Sequence, residues 1–137
     1  LGADAVATVG ITESMITIVF AVALGLAMGT TAMVARRIGE GDREAACVAA
    51  MQSIWIGVAL TLLVGLVGFV FADDFLRWMG ASPGILAGGV GYTRIMLTGC
   101  GTVLMLFLIN AIFRGAGNAA IAMRVLWIAN LINLVLD

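Results

Sequence analysis

Uncharged, largely apolar residues run along this chain in long blocks separated by short charged clusters. Ser14 to Ala35 is a run of 22 residues without a charge, Ala45 to Ala72 one of 28, and Ile95 to Phe113 one of 19. About 20 such residues in an α-helix cross a hydrocarbon core of about 30 Å. The pattern therefore predicts membrane-spanning helices over 5–36, 44–72 and 85–113. A fourth uncharged run, Val125 to Leu136, has only 12 residues. It spans only if its helix starts near Ala119 and continues past Asp137, which predicts a fourth helix over 119–137.

The connectors are short and polar. Arg36-Arg37-Ile-Gly-Glu-Gly-Asp42-Arg43-Glu44 is a turn with two glycines. The stretch from Ala72 to Gly84 holds Pro83, the single proline, and its Phe75, Leu76, Trp78 and Met79 suit an interfacial half-helix, with Trp78 at headgroup level. Arg114-Gly-Ala-Gly-Asn118 is the third, with Asn118 placed to cap the last helix. Alternating helices put the first and third connectors on one side of the membrane. Arg36, Arg37, Arg43, Arg114 and Arg124 fall there, against Arg77 and Arg94 on the other. Cytoplasmic loops are enriched in Arg and Lys, so 36–44 and 114–118 are expected to be cytoplasmic, in a multi-pass protein of the cell's inner membrane. Arg94 is expected to snorkel to the opposite interface.

Composition agrees with this reading and excludes others. The chain is 63% hydrophobic and 11% charged, with a mean hydropathy of +1.17. Soluble domains carry about 25% charged residues. A formal net charge of -1, with no lysine, leaves no surface for nucleic acid. Histidine is absent, which removes imidazole bases and most zinc sites. Cys47 and Cys100 stand in separate apolar segments and read as buried small residues. No nucleophile–base pair or metal cluster is visible, so no enzyme and no cofactor is expected. Leu1 in place of a starting methionine, with Asp137 closing an apolar run, suggests an internal fragment of a longer protein.

Eighteen glycines in so apolar a chain need a cause. Small residues let helices in lipid approach closely, and Gly25 and Gly29 share one face. Gly57, Gly65, Gly68, Gly99 and Gly101 extend the theme, while Gly99 and Gly101 would also permit a mid-helix bend.

Polar groups at depth are the best pointer to function, because an ionised side chain at the bilayer centre costs at least ~2.5 kcal/mol. Asn130, Asn133 and Asp137 are spaced to share one helix stripe. A helix starting near Asn118 puts Asp137 about 28 Å along it. Asp137 either opens a loop, with the asparagines bonding neighbouring helices, or forms part of a site with them. Asn110 is a fourth polar group, four residues before Arg114, where it could simply satisfy the helix end. Glu13 is expected at the outer mouth; Gln52, Thr61 and Thr102 read as packing polar groups.

These residues also carry a resemblance. Gly25-Leu-Ala-Met-Gly29-Thr-Thr-Ala-Met-Val-Ala-Arg-Arg-Ile-Gly39-Glu-Gly-Asp42 resembles the second helix and following cytoplasmic loop of multidrug and toxic compound extrusion (MATE) transporters. Tyr92, Arg114-Gly-Ala-Gly117 and the Asn133-x-x-x-Asp137 pair match later features of the family. The resemblance covers the whole chain, as helices two to four and the start of five of a twelve-helix, two-lobe transporter. It implies a partial N-terminal lobe of an antiporter that exports cationic, amphipathic compounds against inward Na⁺ or H⁺. Asp137 would be the coupling carboxylate and Asn133 its neighbour, with Asn110 contributing and Asn130 lining the cavity. Na⁺ at Asp137 would be the only metal. Implied partners are membrane lipid, the small cationic substrate and the remaining helices of the full-length chain. Two alternatives stand beside it: a related flippase for lipid-linked oligosaccharides, which the scarcity of arginine inside the helices disfavours, and a non-transporting membrane scaffold, which would need no polar stripe at depth.

Overall fold

A computed structural model describes residues 2–136, the side chains of Asn133 and Leu136 excepted. The described residues form four α-helices and no strand: α1 (Ala3–Gly39), α2 (Arg43–Trp78), α3 (Pro83–Gly115) and α4 (Ala119–Leu136). In lipid no water is present to satisfy backbone N–H and C=O groups, and an α-helix satisfies them within its own segment. Side-chain hydroxyls follow the same logic. Thr8, Thr12, Ser14, Thr17, Thr31, Ser53 and Thr93 each place a hydroxyl 2.8–3.0 Å from the carbonyl four residues earlier. Three helices, α1, α2 and α3, are long and apolar enough to cross a membrane.

Each of those three helices outruns the uncharged block that announced it. α1 has 37 residues and α2 has 36, about 55 Å of helix at 1.5 Å per residue. The charged ends are good helix formers. Arg36 Nε and Arg37 Nη1 bond the two oxygens of Glu40 at 2.9 and 3.1 Å, and Arg77 Nε bonds Asp73 Oδ2 at 2.8 Å. Arginine in a last turn also complements the helix dipole. The expected interfacial half-helix is therefore not separate: Phe75 to Trp78 is the last turn of α2. Leu76 there is fully buried, and the Phe75 and Trp78 rings meet edge to face at 6.1 Å.

All three connectors close by one device. Gly41, Gly80 and Gly117 have φ of 78°, 83° and 79°, a left-handed conformation that only glycine adopts readily. In each case the next residue's N–H reaches back over the last turn: Asp42 to Arg37 O, Ala81 to Leu76 O, and Asn118 to Phe113 O, at 2.9–3.0 Å. That is the Schellman arrangement. Asp42 Oδ1 then accepts from Ala45 N at 2.9 Å and caps α2, while Ser82 caps α3 ahead of Pro83 at the first helical position. At Asn118 the bond formed is from Ile121 N to the backbone oxygen, at 3.2 Å.

The chain divides into two compact units. One comprises the residues up to Ala23 and Ile56–Met105; its core includes Ile16, Ala72, Leu76, Leu97 and Leu104. Here α3 is the central partner. A Cβ on Gly68 would stand 2.6 Å from Leu97 Cβ, and one on Gly89 would stand 2.6 Å from Thr8 Cγ2; Gly101 is pressed against Thr61 in the same way. The other unit comprises Leu24–Trp55 and the residues from Leu106 on, with a core of Ala27, Val34, Ala46, Ala49, Leu108, Ala111 and Ala122. Thr31 Oγ1 bonds Ala111 O at 3.1 Å there, and Gly115 lies against the Thr31 backbone and Val34. A Cβ on Gly25 or Gly29, the pair read from sequence as a packing face, would meet nothing within 4 Å among the described residues. Gly101 is a packing glycine in an unbroken α3.

Candidate functional site

The residues singled out from sequence lie in the second unit. Asn110 is on α3, 3% exposed, one residue before the carbonyl that holds Thr31. Its side chain forms no hydrogen bond among the described residues, so it does not satisfy the end of α3. Asn130 is on α4 and exposed; the backbone of Asn133 continues that helix. Asp137 lies outside the described residues. No hydrogen bond among the described residues joins Asn110 to Asn130.

The structure adds Thr30, which sequence reading passed over. It is 3% exposed, and its Oγ1 is sealed from solvent with no partner among the described residues, while its neighbour Thr31 is bonded twice. The unit thus holds a buried amide, Asn110, and a sealed hydroxyl, Thr30, with no partner among the described residues. No spacing rule could have found Thr30, since helical threonines ordinarily bond their own preceding turn.

Elsewhere in this unit a cavity of about 480 Å³ is lined by Arg37, Asp42, Glu44 and Gln52, beside the first connector. Glu40 in that connector accepts from Arg36 and Arg37, and the Arg36 bond, with Arg37 assisting, holds its carboxyl below the usual carboxylate range.

The first unit carries a second polar system, along the α1–α3 contact. Thr12 Oγ1 and Thr93 Oγ1 are 2.9 Å apart and fully buried, yet each is also placed to donate to its own helix. Two protons serve three contacts, so one hydroxyl must turn its proton across the interface. Above them Asp4 closes on the first turn of α3, with Oδ1 3.5 Å from Ser82 Oγ and Oδ2 against Gly84. A carboxylate at a helix N-terminus is stabilising. A wholly different feature, an apolar groove of about 460 Å³, is lined by Met15, Ile18, Val64, Phe75, Trp78 and Leu97.

Comparison with known proteins gives these features a setting. The MatE family model matches residues 1–137. This chain belongs to the MatE family. Among its relatives, the probable multidrug resistance protein YoeA of Bacillus subtilis is 22% identical over 136 residues, 99% of this chain and 29% of YoeA. The probable multidrug resistance protein NorM of Thermotoga maritima is 29% identical over 137 residues, 97% of this chain and 29% of NorM. The multidrug export protein MepA of Staphylococcus aureus is 28% identical over 123 residues, 87% of this chain and 27% of MepA. The chain spans under a third of the length of these relatives. No solved structure gives a significant match. With three long apolar helices, this MatE chain is part of a multi-pass membrane protein.

Proposed function

We propose that this chain is part of the N-terminal lobe of a cation-coupled exporter of cationic, amphipathic compounds, working by alternating access with Na⁺ or H⁺ moving inward. Family membership and relatives described as multidrug export proteins set the class. The observation that carries the site is Asn110, an amide buried in an apolar helix and bonded to nothing described around it. A polar side chain held this far from solvent in an apolar helix calls for a role, and ion binding supplies one. The unpartnered Thr30 hydroxyl in the same unit supports it.

In this mechanism Asp137 is the coupling group and Asn133 and Asn110 supply neutral oxygens around it, with Asn130 facing the cavity. A carboxylate out of water is expensive while charged. H⁺ or Na⁺ cancels that charge, and release of the ion restores an anion that attracts a positive substrate. Coupling follows when the neutral and charged forms favour different helix arrangements. The arginine-rich ends, 36–44 and 114–118, then face the cytoplasm.

The test is Asp137→Asn in the full-length protein. Efflux of a cationic dye is expected to be lost while membrane abundance is unchanged, and wild-type efflux in the variant would overturn the assignment. Everted vesicles given either a Na⁺ gradient or a proton gradient identify the ion.

A further inference from the structure

Arg94 is a charge set in an apolar helix. It follows Thr93, which is buried against Thr12, and precedes Ile95, which is exposed. Its guanidinium carbon stands 5.3 Å from the centroid of the Phe69 ring on α2, and its Nε is sealed from solvent with no acceptor among the described residues. The ion pairs among the described residues belong to Arg36, Arg37 and Arg77. A guanidinium has five N–H donors in a planar fork and no acceptor. Phe69 attracts the cation through its ring face but takes none of the in-plane donors. The group is therefore backed on one face, and with Nε closed to an outside ligand the two Nη groups are the donors left for an anion.

Two observations say which anion. Arg94 precedes Arg114 on the same helix by 20 residues, about 30 Å at 1.5 Å per residue, which is the thickness of the hydrocarbon core. With Arg114 at the polar boundary of one leaflet, Arg94 reaches the boundary of the other, where lipid phosphates lie. Near the pair in sequence, Leu66, Val70 and Ile95 are exposed and apolar, as a surface against acyl chains would be.

We infer that Arg94, backed by Phe69, binds the phosphate of a phospholipid in the leaflet opposite the Arg114 end, with the acyl chains along the exposed apolar faces of α2 and α3. A phosphate offers two oxygens to the guanidinium fork, a match that a lysine ammonium does not reproduce. The contact holds α2 and α3 at a defined depth, and it stands whether or not the coupling site is as proposed.

The experiment compares the full-length protein in phosphatidylcholine–phosphatidylglycerol vesicles with the same protein in digalactosyldiacylglycerol vesicles, a lipid without phosphate. Thermal unfolding is followed in both. The wild type is expected to unfold at higher temperature in phospholipid, Arg94→Gln to lose that shift, and Arg94→Lys to keep part of it. Where Arg94→Gln does not accumulate, Phe69→Leu is read instead and is expected to shrink the shift. A shift unchanged by either variant, or no shift in the wild type, overturns the proposal. So does an equal loss of stability by Arg94→Gln in both lipids, which would show Arg94 paired with a carboxylate of the protein. Inorganic phosphate that raises the wild type in galactolipid to its phospholipid value would overturn the lipid assignment in favour of the free ion.

Discussion

Thr12 and Thr93 meet in an apolar contact where two hydroxyl protons serve three acceptors, and the arrangement has a measurable value. Interhelical hydrogen bonds in membrane proteins average about 0.6 kcal/mol. A double-mutant cycle of Thr12→Val and Thr93→Val, read by unfolding in detergent, is expected to return a coupling energy of that order. Each valine keeps the shape and removes a group that the other helix shares. Asn110 is a different case, because its amide bonds nothing among the described residues. Asn110→Leu is expected to leave the unfolding temperature unchanged or raised while lowering efflux at least tenfold, read as dye export per transporter. A loss of stability with full efflux per folded molecule would make Asn110 a packing group.

Glycines divide at the scale of the helix into those that touch a neighbour and those that do not. Gly68→Ala places a methyl 2.6 Å from Leu97 Cβ, an atom fixed to the α3 backbone, so the helices must part. Overpacking of this kind costs about 1–3 kcal/mol. Gly25 has nothing within 4 Å, and Gly25→Ala is expected to leave the packing of these four helices intact. The two variants compared by thermal unfolding check the distinction. The first connector has a pH signature of its own. Arg36 and Arg37 lower the carboxyl of Glu40. Its contribution is present above the ordinary glutamate value of about 4.3 and lost as pH falls through the lower folded value. The small stability difference between wild type and Glu40→Gln is therefore expected at neutral pH and absent in strong acid.

The arginines predict an orientation for these helices. Five of the seven arginines belong to α1, α2, α3 or α4 at or beside the first and third connectors. With Cys47, which is exposed, replaced by alanine, Arg43→Cys is expected to react with a membrane-impermeant thiol reagent only from the cytoplasmic side. Ser82→Cys in the second connector is expected to react only from outside, and labelling of both from one side would reject the arrangement.

Existence and order of the helices could be read from the sequence alone, because charge is so costly in lipid that uncharged runs of 22, 28 and 19 residues mark spans directly. The family was legible for a related reason: the spaced Gly25 and Gly29, the Gly39-x-Gly-Asp42 turn and the Asn133-x-x-x-Asp137 pair stand in the order the resemblance implies. What the sequence could not show was which face of each helix meets another. An apolar face turned to lipid and one turned to a neighbour have the same composition, so Gly25-x-x-x-Gly29 and Gly68 read alike as packing glycines, and among the described residues only Gly68 is pressed against a neighbour. Only the tertiary contacts separated them. They also joined Phe75–Trp78 to α2, where the Asp73–Arg77 pair carries the helix through a charged stretch that composition marks as a break. And they found Thr30 and Arg94 Nε, because an unpaired polar atom is defined by what surrounds it in space, which no spacing along one chain records.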